Sequence, residues 1–286
     1  MSHVQRIMQH MHKGEFIRDR LLPSWLQSIC AQLDVSYTAY SEDWIIKLQK
    51  GIQIRWIYGY QFDVNNVAAA QLAGDKAAAY TIMATKAVPA VQHILVRSGA
   101  HEPMSRTAIA GQLQSLGLPV VIKPLFGSSG KGVHYCTSVE DVYKIVGKTS
   151  NTGWVAAPFV SIMAEYRVII FGKETLLVYE KTNPYVSDSM KFYNLGMGAL
   201  AHDINASHQL YQGITEIAAR ATGALNLELA AVDVVQLDDG TFQILELNSG
   251  LMFEHYARQS EANHQKSRDI YETIVTKMFL KPSLNR

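Results

Sequence analysis

The sequence has few cysteines, no long apolar run and almost no net charge, and each shortage excludes a class of protein. Its two cysteines, Cys30 and Cys136, are far apart and in no metal-ligand spacing, which indicates buried thiols in a reducing compartment. A formal net charge of +1 with scattered basic residues argues against a nucleic-acid partner. No apolar run reaches the roughly 18 residues of a membrane-spanning helix, so no membrane partner is predicted.

The composition and the first residues point to a cytoplasmic enzyme. The opening MSHVQRIMQHMHKGEF contains no apolar segment of the kind that a secretory signal needs. The 286 residues are 48% hydrophobic and 18% charged, as in an ordinary soluble enzyme, and are enough for two or three small domains. The ten histidines show no zinc-binding spacing with a helper acid, so no zinc site is predicted.

Apolar spacing predicts helices and strands in the first part of the chain. A helix is expected from Pro23, because large apolar residues recur there at helical spacing. The segment IQIRWIYGY indicates a strand that runs into a turn, and AAAQLAGDKAAAYTIMATKA is predicted to be helical except at Gly74. The apolar residues of the first helix are Trp25, Leu26, Ile29 and Leu33.

Two later helices carry recognisable end signals. TSVEDVYKIVGK opens with a predicted capping box formed by Thr137 and Glu140. Another helix is predicted from 207 to 221, with Gly223 as its stop. Three tryptophans are predicted to lie in cores: Trp25, Trp56 and Trp154.

The segment PVVIKPLFGSSGKGVHY combines a short apolar strand, 120–123, with a glycine-rich loop. A P-loop would need glycine at Leu125 and a hydroxyl at Gly132, and its loop would lead directly into a helix. Here a returning strand, 133–136, is predicted instead. Small residues still let main-chain N–H groups approach anionic oxygens, and Lys131 adds charge, so a different type of phosphate-binding loop is predicted.

The segment LAAVDVVQLDDGTFQILELNSG has the pattern of a β-hairpin with a turn at Asp239-Gly240. If Asp238 pairs with Thr241, counting outward places Asp233 opposite Glu246. The same register predicts that several apolar residues share the face of these two acids nearer the turn. They are Val235, Leu237, Phe242 and Ile244.

The two facing acids of this hairpin predict a metal site. Their Cβ atoms would be about 5 Å apart, and like charges at that distance repel each other. Asn248 projects from the same face as Glu246, and carboxylate and amide oxygens are ligands that Mg²⁺ accepts. The alternative is that Asp233 and Glu246 only solvate one end of the hairpin.

The motifs VVIKPLFGSSGKGV and, further along the chain, AVDVV…ILELNSG together resemble the ATP-grasp superfamily, most closely its RimK-like ligases. The resemblance runs from Asp75 to about Phe253 in the family's order. It implies an α+β ATP-grasp fold, in which two α+β lobes sandwich ATP beside a small N-terminal domain. The implied boundaries are 1–74 for the N-terminal domain, 75–157 for the central lobe with the glycine-rich loop, and 158–286 for the C-terminal lobe with the magnesium site.

The resemblance implies a nucleotide site built from several segments. Lys123 would hold the α- and β-phosphates, and the glycine-rich loop would close over them. Main-chain groups of 158–160 would bind the adenine edge, and Glu165 is the candidate acid for the ribose. The implied nucleotide contacts are Lys76, Lys123, Gly127, Ser128, Ser129, Gly130, Lys131, Pro158, Phe159, Val160, Glu165, Lys181 and Asn194.

The resemblance also implies a reaction and the residues that perform it. ATP and Mg²⁺ would serve an ADP-forming ligase that joins the carboxylate of an amino acid or peptide to an amine through an acyl phosphate. Lys123 and Arg167 would act in catalysis, although an arginine on a strand surface is the alternative for Arg167. Magnesium would be bound by Asp233, Glu246 and Asn248.

Several points stay open at the level of sequence. A phosphotransferase that acts on a hydroxyl and a nucleotide-binding regulator without turnover are the alternatives to a ligase. An acceptor on a carrier protein and a homodimer are both compatible with the resemblance. His255 and Arg258, shortly after the predicted metal hairpin, either line the substrate cleft or belong to the solvated surface.

Overall fold

A computed structural model describes residues 19–96, 105–127, 130, 132–146, 153–187 and 190–280. Within these ranges, helices and antiparallel sheets are mixed, as the α+β prediction requires. None of the described helices combines the length and the apolar character needed to cross a membrane. The three predicted domain boundaries stay predictions.

The chain begins with a helix packed on a small antiparallel sheet. The predicted helix after Pro23 and the predicted strand in IQIRWIYGY are both confirmed. Alternate residues Ile46, Leu48 and Ile57 are buried against the helix, because successive strand side chains point to opposite faces. Trp56 faces outward and is 43% exposed, so its predicted core position is wrong. The elements are α1 (Leu21–Leu33), β1 (Ser36–Tyr40), β2 (Ile45–Lys50), β3 (Gln53–Tyr58) and β4 (Gln61–Phe62).

The alanine-rich segment forms two consecutive helices, α2 (Val67–Gly74) and α3 (Lys76–Thr85). Gly74 is the last residue of α2, and the break follows at Asp75. The Asp75 carboxylate accepts a hydrogen bond from the N–H of Ala78 at 2.9 Å and so caps α3. The cap places Lys76 in the first turn of α3.

A second sheet carries the glycine-rich loop. Its strands run in the order β5-β8-β6-β7 and all pair antiparallel, which confirms the two strands predicted around the loop. One face of this sheet packs on two helices through Ile109, Ile122 and Val142, and the other faces a cleft. The elements are β5 (Ile94–Val96), α4 (Arg106–Leu113), β6 (Val120–Pro124), β7 (His134–Cys136), α5 (Val139–Val146) and β8 (Trp154–Pro158).

The cap of α5 differs from the predicted one by one residue. The Asp141 carboxylate accepts hydrogen bonds from the N–H groups of Thr137 and Ser138, and Ser138 Oγ accepts from the N–H of Asp141 at 3.2 Å. Because the helix begins at Val139, Ser138 occupies the N-cap position and Asp141 is its partner three residues on. Glu140 instead pairs with Arg106 on the surface.

The third sheet forms the floor of the cleft. Its antiparallel strands run in the order β13-β10-β9-β14-β15. Helices α2, α3 and α6 cover one face, while α1 and α8 cover part of the other. The elements are β9 (Ile162–Phe171), β10 (Glu174–Thr182), a ribbon of β11 (Tyr185–Ser187) and β12 (Met190–Phe192), β13 (Leu200–Asp203), α6 (Tyr211–Ala224), β14 (Leu229–Leu237), β15 (Phe242–Asn248), α7 (Glu254–Ala257) and α8 (Glu261–Leu280).

Helix α6 starts and ends later than predicted. The Asn205 side chain accepts from the N–H of Ser207 at 3.1 Å, which makes a turn where the helix was expected to begin. Gly223 lies inside the helix rather than at its end. The chain reverses at Asn226, whose φ of 53° supplies the left-handed conformation expected of Gly223.

Candidate active site

A cleft with a volume of about 760 Å³ lies between the second and third sheets, with the N-terminal sheet at one end. All the predicted site residues that the structure describes contribute to its walls. Ser128, Ser129 and Lys131 lie outside the described residues. The predicted residues that line the cleft are Lys76, Lys123, Gly127, Gly130, Pro158, Phe159, Val160, Glu165, Arg167, Lys181, Asn194, Asp233, Glu246 and Asn248.

The hairpin of β14 and β15 places Asp233 directly opposite Glu246, as predicted, but by a different route. The turn is a three-residue loop closed by Leu237 and Thr241, with the Leu237 N–H donating to the Thr241 carbonyl at 2.9 Å. The predicted pairing of Asp238 with Thr241 is therefore wrong. With this longer turn and no further irregularity, Leu245 rather than Glu246 would lie opposite Asp233.

A β-bulge restores the pairing of the two acids. Val234 pairs with Ile244 and Asp233 pairs with Glu246, so Leu245 is the extra residue on β15. The bulge also reverses the faces of residues nearer the turn. Ile244 and Phe242 pack with α6 on the opposite side of the sheet, so their predicted place beside the acids is wrong. Val235 and Leu237 lie on the cleft side as predicted.

A buried network of four charged side chains forms the floor of the cleft. Arg167 on β9 donates two hydrogen bonds to Asp233 on the neighbouring strand β14, at 2.8 and 2.6 Å. Lys181 on β10 donates to Asp233 at 2.8 Å and to Glu165 at 2.5 Å. These two cations neutralise Asp233 and Glu165 within the protein, because adjacent strands bring all four side chains to one face.

The network shifts the pKa values of its members in opposite directions. Burial by itself would raise the pKa of Asp233, but the attraction of Arg167 and Lys181 outweighs it and holds this pKa below its usual value. Burial raises the pKa of Glu165 despite the attraction of Lys181. The Lys181 ammonium loses hydration on burial and is repelled by Arg167, yet its two carboxylate neighbours raise its pKa.

Lys123 stands apart from this network. It lies on β6 and faces the cleft, and no group in the described ranges forms a hydrogen bond or an ion pair with its Nζ. Burial lowers the pKa of its ammonium, and attraction by Glu246 only partly offsets this effect. A half-buried ammonium without a partner is costly unless a ligand anion supplies the missing charge.

Comparison with known proteins agrees with this geometry. Residues 73–272 match the RimK-like ATP-grasp domain. The chain belongs to the RimK-like ATP-grasp family.

Solved structures share the ATP-grasp fold with this RimK-like chain. D-alanine–D-alanine ligase from Bacillus anthracis, complexed with ATP, superposes with a TM-score of 0.56 at 17% identity over 76% of this chain and 69% of its own. D-cycloserine synthetase DcsG gives 0.52 at 18% identity over 69% and 70%. N5-carboxyaminoimidazole synthase from Aspergillus clavatus gives 0.52 at 17% identity over 68% of this chain, but the match spans only about half, 48%, of that longer protein.

The donors available for magnesium in this ATP-grasp protein are fewer than the hairpin pattern implies. Asn248 Nδ2 donates to Glu246 Oε1 at 3.3 Å, which uses one acceptor site of the Glu246 carboxylate and leaves its other sites and the Asn248 carbonyl oxygen for a cation. Arg167 and Lys181 use three acceptor sites of the Asp233 carboxylate, and one lone pair on Oδ2 remains. In the described ranges, no three His, Cys, Asp or Glu side chains cluster as metal ligands. Oxygens of these three side chains fit a magnesium ion that keeps water and phosphate ligands, and this assignment stays a prediction.

Several predicted nucleotide contacts already have partners within the protein. Lys76 donates to the carbonyls of Leu125 and Gly127 at 3.3 and 3.0 Å, so it holds the start of the glycine-rich loop against α3. The Phe159 N–H donates to the carbonyl of Pro119 at 3.0 Å and is not free for adenine. The carboxylate of Glu165 is bound to Lys181, so its proposed contact with ribose stays a prediction.

The remaining side of the cleft contains Asn194 and His255. Asn194 accepts from the N–H of Gly196 at 2.8 Å and caps a short turn in the wall. His255 lines the cleft, whereas Arg258 does not line it and instead pairs with the buried carboxylate of Glu254. Sequence reasoning missed the residues that the N-terminal sheet contributes, because no motif marks them. They are Trp44, Tyr58, Gly59, Tyr60 and Gln61.

Proposed function

We propose that this protein is an ADP-forming ligase that joins a carboxylate to an amine through an acyl phosphate. The observation that carries the proposal is Lys123, a cleft-facing ammonium that forms no hydrogen bond or ion pair within the described ranges, in the same cleft as Glu246 and Asn248. A nucleoside triphosphate supplies the anion that Lys123 lacks. The ATP bound in the D-alanine–D-alanine ligase structure supports this choice of nucleotide.

Phosphorylation makes the carboxylate reactive towards an amine. A carboxylate oxygen attacks the γ-phosphorus, the bond from that phosphorus to its bridging oxygen breaks, and ADP leaves with the electron pair. Lys123 neutralises charge on the phosphate chain, and Arg167, which also lines the cleft, would stabilise the charge that develops on the γ-phosphoryl group. A magnesium ion held by Glu246, Asn248 and Oδ2 of Asp233 would supply further positive charge at the same oxygens.

The amine then attacks the carbonyl carbon of the acyl phosphate. The bond from carbon to the phosphate oxygen breaks, phosphate leaves, and the nitrogen loses one proton to solvent. The charge-balanced floor formed by Arg167, Asp233, Lys181 and Glu165 keeps its geometry throughout, because each buried charge has a partner. Catalysis therefore depends on positioning and electrostatics rather than on a protein nucleophile.

Hydroxylamine trapping tests the proposal. The purified protein is incubated with ATP, Mg²⁺, hydroxylamine and a panel of amino acids and other carboxylic acids, and ADP and hydroxamate are measured together. A ligase releases ADP and hydroxamate in equal amounts, because hydroxylamine captures the acyl phosphate. ADP with a phosphorylated hydroxyl compound and no hydroxamate would identify a phosphotransferase, and no ADP with any acid would identify a regulator; either result contradicts the proposal.

A further inference from the structure

One end of the cleft is formed by aromatic rings of the N-terminal sheet. Trp44, Tyr58 and Tyr60, here called the aromatic wall, all line the cleft. Tyr58 is 47% exposed, so much of its ring is available to a ligand. Exposed aromatic surface inside a cleft is characteristic of ligand sites, where apolar area contributes most of the binding free energy.

The aromatic wall is held rigidly from behind. The Arg20 guanidinium stacks on Trp44 and Tyr60, 4.9 and 4.6 Å from their ring centroids, and donates to the carbonyls of Asp43 and Gly59 at 3.0 and 2.5 Å. Trp44 meets Tyr58 and Tyr60 edge-to-face, with ring centroids 6.1 and 6.4 Å apart. A ligand that binds these rings loses little free energy in ordering them, because the rings are already fixed.

Gly59 allows the rings to approach this closely. Its φ is +59°, a conformation that suits glycine, and a Cβ atom at this position would lie 2.7 Å from the Trp44 ring. Any other residue at position 59 would displace the indole. The local chain is therefore adapted to place Trp44 at the cleft.

The aromatic wall adjoins the predicted reaction centre. Gln61 forms a β-bridge with Gly250, and the Leu251 N–H donates to the Tyr60 carbonyl at 2.9 Å. Gly250 is two residues beyond Asn248, and two residues of chain span at most about 7 Å. A substrate of amino-acid size can thus place its carboxylate near Asn248 and its other end against the wall.

The charge distribution of the cleft indicates which chemical group of the substrate contacts the aromatic wall. The residues that the N-terminal sheet contributes to the lining are Trp44, Tyr58, Gly59, Tyr60 and Gln61, and none of them is charged. Arg20 lies behind the rings and is not part of the lining. A charged group placed here would lose hydration without gaining an opposite charge. An uncharged aromatic or large apolar group gains contact with three rings.

We propose that the aromatic wall binds the side chain of the carboxylate substrate and selects acids that carry an aromatic or large apolar group. This inference rests on the proposed ligase function. Trp44 and Tyr58 are then specificity-determining residues, and the carboxylate lies towards Glu246 and Asn248. Small or charged amino acids leave the rings exposed and bind weakly.

Binding and turnover of four amino acids test this inference. L-phenylalanine, L-alanine, L-aspartate and L-lysine are titrated calorimetrically into the full chain with Mg²⁺ and a non-hydrolysable ATP analogue, and ADP release with hydroxylamine is measured in parallel. We expect L-phenylalanine to bind at least about tenfold more tightly than the other three. Equal binding of all four, or tighter binding of L-aspartate, would overturn the inference even if ADP release supports a ligase.

The matched variants are Trp44→Leu and Trp56→Leu, which change the same residue type on the same small sheet. Trp44→Leu should raise the KM for L-phenylalanine about tenfold while kcat changes little, because it removes contact with substrate and leaves the reacting groups in place. Trp56 does not line the cleft and should tolerate the change. Equal effects of both variants would contradict the assignment, and unchanged binding of the ATP analogue shows that each variant is folded.

Discussion

At the scale of single residues, Asp233 and Glu246 face each other but have different surroundings. Asp233 is buried and bound by Arg167 and Lys181, whereas Glu246 is half-buried and, among the described residues, receives one hydrogen bond, from Asn248. The two acids of the same motif therefore have different roles. Asp233 is primarily the anion of a buried charge network, and Glu246 is the acid open to a ligand.

Replacing Glu246 with Gln should stop turnover without unfolding the protein. The side chain keeps its size, and the loss of repulsion with Asp233 is offset by the loss of attraction to Lys123, so stability should change little. ADP release should fall on the order of a hundredfold, because a neutral amide is a weaker magnesium ligand and leaves phosphoryl charge uncompensated. Asp238→Asn, an exposed change in the turn of the same hairpin, is the control. Equal losses of activity would argue against a metal role for Glu246.

Replacing Asp233 with Asn should instead destabilise the fold. Arg167 and Lys181 would lose a buried counter-charge, which costs about 3–5 kcal/mol of unfolding free energy. Urea denaturation at pH 7 measures this loss, again with Asp238→Asn as the control. A stable Asp233→Asn variant would show that the network does not hold the sheet together.

The ionisation of the Asp233 carboxylate predicts that the stability of the protein depends on pH. The folded-state pKa of Asp233 lies below the value of about 3.9 expected in the unfolded chain. The ionised carboxylate therefore contributes to the free energy of unfolding above about pH 3.9, and this contribution is lost as the pH falls towards the folded-state pKa. The wild type should therefore lose more stability than Asp233→Asn between about pH 5 and pH 3. Parallel slopes for the two proteins would contradict this assignment.

At the scale of elements, the glycine-rich loop depends on positive φ angles at its far end. Gly132 has φ +69°, and a Cβ atom there would lie 3.1 Å from the Pro124 ring. Gly132→Ala should strain the loop by about 1–2 kcal/mol and raise the KM for ATP several-fold. Gly111 in α4 is exposed and has open space, so Gly111→Ala should leave the KM unchanged and stabilise the protein slightly. Matching KM values for both variants would exclude a role for this loop geometry.

At the scale of the whole molecule, one hydrophobic cluster joins the two ends of the chain. It includes Leu26 of α1, Ile57 of the N-terminal sheet, Ile169 of the third sheet and Tyr271 of α8. Glu254, buried in α7, adds a polar link. Its carboxylate accepts from the Leu21 N–H and the Tyr60 hydroxyl at 3.0 Å each, and thereby caps α1, which lacks a side-chain cap of its own.

Glu254→Ala should therefore weaken the molecule as a unit. The change leaves a helix N–H and a tyrosine hydroxyl without their acceptor, so the unfolding free energy should fall by about 2–3 kcal/mol in a single urea transition. Glu216 on the exposed face of α6 is a suitable control, and Glu216→Ala should change stability by less than about 0.5 kcal/mol. Two separate transitions in the Glu254→Ala variant would show that the ends of the chain are independent.

Local sequence determined most of the helices and strands, and the family resemblance of the motifs identified many of the residues that line the cleft. Short segments of sequence are enough to predict such features, because each depends on only a few neighbouring residues. Examples are the helical spacing of Leu26 and Ile29, the turn residues of the hairpin and the small residues that follow Lys123. The resemblance of these motifs to a known family supplied their order along the chain. The predicted helix ends were wrong where several local signals compete, as at Gly223 and Asn226.

Tertiary structure alone decided which charges meet. Asp233 is 66 residues from Arg167 and 52 from Lys181, and they become neighbours only because β9 lies beside both β10 and β14. The N-terminal sheet, which carries Trp44 to the cleft, meets the third sheet where Gln61 pairs with Gly250, much later in the chain. No local pattern encodes these pairings, since strand order follows from burying the faces of all three sheets together. The sequence predicts a metal ion as the cation beside Asp233, and only the fold reveals that Arg167 and Lys181 also neutralise this carboxylate.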